Sequence, residues 1–210
     1  MKNVTERTSN PFGLQPPCDR TGSGERAAVF GYGDANADFH LIGDHPGVHG
    51  GTSTGVPFTE TPSGVAIQDV VREIDFASGP ADRPDLENLY CSYIHMCLPS
   101  DGETPEEESY ADLERFFDAE LRAINAHILL PVGERATDHV LREYTTQRRR
   151  LELDMATLHA KEVRGRGFLV VPIREPTEWV DTDRDAIRSR LEAILGRDYR
   201  QTKGVATRIG

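Results

Sequence analysis

The sequence predicts an α/β fold in which a parallel sheet carries helices on both faces. Three observations carry this. Strand-like and helix-like apolar segments alternate four times along the chain. The strand-like segments are short and almost continuously apolar, as strands covered on both faces are. The length of 210 residues and the hydrophobic content of 37% suit one domain with a core.

The elements follow in order. Residues 1–28 are rich in Asn, Thr, Gly, Pro and charge, and read as an N-terminal arm or loop. The domain then spans 29–196, and 197–210 form a tail. Residues 38–43 (DFHLIG) read as the first strand. Residues 63–76 read as a helix, with Ile67, Val70, Val71 and Ile74 on one face and Ser63 as its cap. Residues 89–97 (LYCSYIHMC) have strand composition. Thr104-Pro105-Glu106-Glu107 has the form of a capping box that opens a helix through Leu113, Phe116, Phe117, Leu121 and Ile124. Residues 127–133 (HILLPVG) form a third strand and 134–144 a helix. Residues 168–173 (FLVVPI) form a fourth strand. Residues 182–195 close the domain as an amphipathic helix through Ile187, Leu191, Ile194 and Leu195.

Composition narrows the partners. The formal net charge is −11, and of the 24 basic residues only Lys2, Lys161 and Lys203 are lysines. An acidic, lysine-poor chain suits a salt-adapted host, and equally a cytosolic protein of an arginine-favouring genome. It argues against simple electrostatic adhesion to nucleic acid at low salt. No run of 18 apolar residues is present, so no membrane partner is expected, and the polar N-terminus predicts a cytoplasmic protein. The absence of heptads predicts a monomer. Three cysteines, Cys18, Cys91 and Cys97, are an odd number that argues against a disulfide framework, and their spacing matches no zinc site. No metal ligand set is predicted.

In an α/β sheet, ligands bind beyond the C-terminal ends of the strands. The loop after the first strand is the richest of these. It reads Gly43-Asp44-His45-Pro46-Gly47, adds glycines at 50, 51 and 55, and ends in Pro57-Phe58. The glycines permit close approach of a ligand. Asp44 is a potential general base, His45 a potential acid, base or water holder, and Phe58 a flat face for a planar ring. A glycine-rich turn around a core phenylalanine has the same composition. A phosphate loop is excluded because its lysine is missing, and the dinucleotide fingerprint does not fit.

The ordered set of motifs resembles the uracil-DNA glycosylase superfamily, in particular its thermostable iron–sulfur branch. Residues 43–47 resemble that branch's G-E-x-P-G motif and 55–58 its G-x-P-F. The lead-in at 29–38 resembles V-x-G-x-G-x-x-x-A-D. Cys97-Leu98-Pro99, the 104–107 box and Pro131-Val132-Gly133 resemble its later motifs. The resemblance runs from about residue 10 to 195 and implies a three-layer α/β/α sandwich around a four-stranded parallel sheet. It also implies flipping of a damaged base from DNA and hydrolysis of its N-glycosidic bond. Carried over by position, Asp44 and His45 are the catalytic candidates. Gly43, Pro46, Gly47, Phe58, Tyr93 and Glu175 are the substrate-binding candidates, with Phe58 as the stacking platform.

Three positions depart from the pattern. Tyr93 stands where the family reads uracil with an asparagine, and a phenol lacks the paired donor and acceptor of an amide. Glu175 stands where the last motif has a histidine, so a carboxylate would face a departing anion unless protonated or paired, for example with Arg174. Cys18 and Cys97 stand at two places of a four-cysteine cluster, and Ala111 at a third. The resemblance therefore implies no iron–sulfur cofactor here, with Cys18 and Cys97 as remnants.

Other residues admit two readings. His49 reads as a surface histidine of the loop, or as a ligand-binding one. Trp179 reads as a hydrophobic anchor, or as a wedge into DNA. Arg142, Arg148, Arg149, Arg150, Lys161, Arg164 and Arg166 form the one basic stretch, either a solvated face or a phosphate-binding one, with Arg148, Arg149, Arg150, Arg164 and Arg166 as the DNA-binding candidates. Three functions compete: a glycosylase, a degenerate relative that binds damaged or single-stranded DNA without cleavage, and a small-molecule hydrolase using Asp44 and His45. The last lacks a G-x-S-x-G elbow.

Overall fold

A computed structural model of the protein describes residues 3–4, 16–18, 28–98, 104–197 and 199. Its strands and helices, in chain order, are β1 (Asn3–Val4), β2 (Tyr32–Asp34), β3 (Phe39–Gly43), α1 (Pro46–His49), α2 (Pro62–Glu73), β4 (Ala77–Ser78), β5 (Asp85–Leu86), β6 (Leu89–Tyr93), α3 (Glu107–Ile124), β7 (Ile128–Pro131), α4 (Gly133–Tyr144), α5 (Met155–Leu158), β8 (Val163–Gly165), β9 (Phe168–Val170) and α6 (Asp181–Leu195). A 3-10 turn at Pro176–Glu178 precedes α6.

The main sheet has the order β1-β2-β6-β3-β7-β9-β8. Its centre is the four strands expected from the sequence. β3 pairs in parallel with β6 and β7, and β7 pairs in parallel with β9. The sheet is larger than four strands, however. β1 and β2 extend one edge antiparallel, and β8 extends the other. These edge strands have two or three residues each, too few to show a period of two. β4 and β5 form a separate two-stranded sheet.

Alternation along β3 assigns the layers. Phe39 and Leu41 belong to a cluster with Ile67, Val70 and Val71 of α2 and Ile187, Leu191 and Ile194 of α6. Ile42 belongs to a second cluster with Phe117 and Leu121 of α3 and Ala136, Val140 and Leu141 of α4. Helices therefore cover both faces in an α/β/α sandwich. Each large aliphatic side chain buried this way contributes about 1.5–3 kcal/mol. On the α3 face His40 is fully buried, its Nε2 lies 2.8 Å from Ser92 Oγ, and burial pushes its pKa down to about 3.

Two helix starts differ from expectation. Thr61, not Ser63, caps α2, accepting the Gly64 N–H at 3.2 Å, which frees Ser63 for another contact. α3 begins at Glu107, with Glu106 as a cap residue that makes no side-chain bond, so 104–107 do not form the expected box. The expectation against a disulfide is also corrected. Cys18 and Cys97 are bonded, with their Cα atoms 5.3 Å apart, and tie the arm to the chain beyond β6. An odd count left one cysteine over, and that is Cys91, buried in β6.

Candidate functional site

The site is built where β3, β6, β7 and β9 release their chains. β3 ends at Gly43, and a Cβ there would lie 2.7 Å from the Tyr93 ring and 2.9 Å from His49 Nδ1. Only glycine lets β6 and the first loop close over this strand end. His45 then caps the one-turn α1. Its Nδ1 accepts the Gly47 N–H at 3.1 Å, which leaves the ring proton of the neutral form on Nε2. Pro46 occupies the first turn of α1 and is buried, whereas Gly47 and Val48 face solvent. Burial holds the His45 pKa below the ordinary histidine value, against the pull of Asp44.

α1 delivers His49 into the interior. Only 1% of His49 is exposed, so the surface reading of this residue is wrong. Its Nδ1 accepts the Asp44 N–H at 3.0 Å, and its Nε2 meets Glu175 Oε2 at 3.0 Å. The other Glu175 oxygen accepts from Ser63 Oγ. Burial alone would raise the Glu175 carboxyl, but His49 and Ser63 together hold it below the usual carboxylate range. Arg174, the partner considered from the sequence, instead pairs with Glu178 and Asp183.

Phe58 and Tyr93 meet in the same place, and the Phe58 ring, only 2% exposed, is packed in the core as the glycine-rich turn around a core phenylalanine would have it. The Tyr93 hydroxyl accepts the Phe58 N–H at 2.8 Å and donates to the Gly50 carbonyl at 2.9 Å. Phe58 adopts a left-handed backbone at φ 59°, a sparsely populated state for a side chain of this size. The Tyr93 bond and a 3.0 Å bond from Gln68 Nε2 to the Phe58 carbonyl hold it there. The ring centroids of Phe58, Tyr93 and His49 lie 5.3–6.3 Å from one another. Tyr93 is fully buried with its hydroxyl engaged at both ends, so it braces the loop that carries Phe58.

Asp44 is not a solvated loop acid. Its Oδ1 accepts from the Tyr110 hydroxyl at 2.6 Å, and its Oδ2 lies 3.9 Å from Arg135 Nε. The His95 N–H donates to its carbonyl at 3.0 Å. Tyr110 and Arg135 sit in the first turns of α3 and α4, at the strand ends that carry the loops, where nothing in a single sequence marks them.

Trp179 Nε1 donates to the Arg174 carbonyl at 2.8 Å, and the ring packs against the core, as an anchor does. The basic stretch lies elsewhere. α4 starts beside Glu175 at Gly133 and runs back along the sheet for 12 residues, about 18 Å. Beyond its far end, Gln147 Nε2 donates to the Arg164 carbonyl, and Gly165 pairs with Phe168, the first residue of β9. Arg148 binds Asp138, Arg166 binds the Glu143 carbonyl, and Arg149 and Arg150 are exposed. These arginines are not gathered with Asp44, Phe58 and Glu175.

A model of the uracil DNA glycosylase superfamily matches residues 30–192. The chain belongs to that superfamily. A type-5 uracil-DNA glycosylase of Thermus thermophilus is 37% identical over 84 residues, a match that covers 38% of this chain and 38% of that relative. For the superfamily's iron–sulfur branch the donor set here does not fit. Cys18 and Cys97 are bonded to each other, Cys91 is 4% exposed inside the sheet, and no group of three metal-binding side chains occurs among the described residues. Every residue gathered at the strand ends, from Gly43 to Glu175, falls inside the segment that the superfamily matches.

Proposed function

We propose that the protein is a monofunctional DNA glycosylase that flips a deaminated, uracil-type base and hydrolyses its N-glycosidic bond with water. The observation that carries this is the convergence of Asp44, Phe58 and Glu175 at one end of the sheet, inside the superfamily segment. Phe58, 2% exposed in this structure, is the ring on which the base stacks once the first loop yields. Asp44 takes the proton of a water that attacks the sugar C1′. The C1′–N bond breaks, its electron pair stays on the base, and solvent protonates the base. Two carboxylates, Asp44 and Glu175, favour the positive charge that develops on the sugar. His45 keeps its Nε2–H as a donor beside that water. Duplex or single-stranded DNA then docks against the rim formed by Gly47 and Val48 and by 177–180, and the protein acts in the cytoplasm as a monomer without a cofactor.

A second reading has its own support. Glu175 is held as a carboxylate where a departing anion would form, which favours retention of a base over its release. A protein of that kind binds damaged or single-stranded DNA and leaves it intact. Base release from uracil-containing oligonucleotides separates the two. Asp44→Asn is expected to lower release by at least about a hundredfold in the first reading, and wild-type protein that binds without release supports the second.

A further inference from the structure

We propose that Tyr110 and Arg135 are positioning residues that clamp the Asp44 carboxylate towards the sugar of a bound nucleotide. The inference rests on the glycosylase reading of the site and adds two residues that the family motifs do not include. Four elements fix Asp44. α1 holds its N–H through His49, and the chain beyond β6 holds its carbonyl through the His95 N–H. The Tyr110 hydroxyl from α3 fixes Oδ1 at 2.6 Å, and Arg135 from α4 approaches Oδ2 at 3.9 Å. The two clampers brace each other, since the Arg135 guanidinium lies 4.5 Å from the Tyr110 ring centroid. Glu107 in turn anchors Arg135 at 2.6 Å.

The chemistry of the clamp is one-directional. Burial, and then the bond to Asp44, push the Tyr110 phenol far above its ordinary range, so it stays a donor at any working pH. A carboxylate oxygen that accepts from a fixed donor keeps its remaining lone pair in a fixed direction. That pair is the one available to a water or to a positive sugar. Fixing it before the substrate arrives removes reorganisation from the reaction. A surface ion pair would need none of this bracing. Asp44 is only 17% exposed, while Arg135 at 39% keeps one side open to solvent and to a phosphate backbone.

Two measurements test the clamp. The first is activity-independent: binding to an oligonucleotide with a cationic pyrrolidine abasic analogue, against the same strand with a neutral tetrahydrofuran analogue. The wild type is expected to favour the cationic strand, and Tyr110→Phe to lose about tenfold of that preference while its thermal midpoint shows it folded. The second is base release. Tyr110→Phe and Arg135→Gln are expected to lower kcat about tenfold to a hundredfold with KM changed less than about twofold. Tyr110→Phe should add nothing further in an Asp44→Asn background, because both changes remove one interaction. A wild type without cationic preference, or a Tyr110→Phe effect that persists in full on Asp44→Asn, overturns the inference. Cationic preference that depends on Tyr110 in a protein that releases no base would end the cleavage reading and leave the clamp standing.

Discussion

Tyr93 shows how one substitution changes a residue's work. At the place that the motif resemblance matches to a base-reading asparagine, this chain has a phenol whose oxygen is already spent on Phe58 and Gly50. Tyr93→Phe would strand a buried N–H and a buried carbonyl, and should cost about 1–3 kcal/mol in urea unfolding. A loss under about 0.5 kcal/mol would mean that the loop does not depend on that oxygen. Asp44, Phe58 and Glu175 were singled out in the sequence by motif order, and the structure links all three through His49. His49 itself was not legible. Its partner Glu175 is 126 residues away, and no local pattern marks a loop histidine that turns inward. Tyr110 and Arg135 were hidden for the same reason, since each lies on the outer part of an amphipathic helix where polar residues are the rule.

Among elements, the four central strands and the long helices were readable because each buries a continuous stripe or face. Helix starts and edge strands were not, since they depend on single hydrogen bonds and on partners far along the chain. The arrangement of β3 carries a pH consequence. His40 is buried neutral, with a pKa lowered from 6.5 to about 3. The unfolded chain therefore binds a proton that the folded chain refuses between these values. The His40 contribution is fully present above about pH 6.5 and is lost as pH falls towards 3, at up to about 1.4 kcal/mol per pH unit. His45, His95 and His139, also lowered by burial, act in the same sense. Unfolding free energy measured at pH 7 and pH 5 should fall towards acid, and His40→Leu should flatten that slope; an equal slope in both proteins would contradict this account. The first loop makes a sharper demand. A Cβ on Gly50, at φ 92°, would lie 1.6 Å from the Thr59 carbonyl oxygen. Gly50→Ala must move the segment that carries Phe58, and is expected to cost about 1–3 kcal/mol in chemical unfolding. An unchanged midpoint would contradict that packing.

For the whole molecule, the sequence conveyed the sandwich but not how the chain is closed or where its charge lies. The Cys18–Cys97 bond spans 79 residues, and closing a loop of that length removes unfolded-state freedom worth up to about 4.5 kcal/mol. Reductant should therefore lower the thermal midpoint of the wild type and leave Cys18→Ala unaffected. Equal shifts in both would rule out the bond. The basic stretch, compact in the sequence, is carried by α4 to the end of the sheet away from the candidate site. Linear clustering of arginines thus says little about which face they serve. A strand-end site that cleaves a base from DNA must set that base free in solution. The most direct measurement is base release from oligonucleotides that carry uracil, hypoxanthine, xanthine or 5-hydroxymethyluracil, single- and double-stranded, from dilute to multimolar salt. Release of at least one base by the wild type, and its suppression in Asp44→Asn and Phe58→Ala, is the predicted result. Silence across the panel from protein shown to be folded at the same salt, or full activity in both variants, would contradict it.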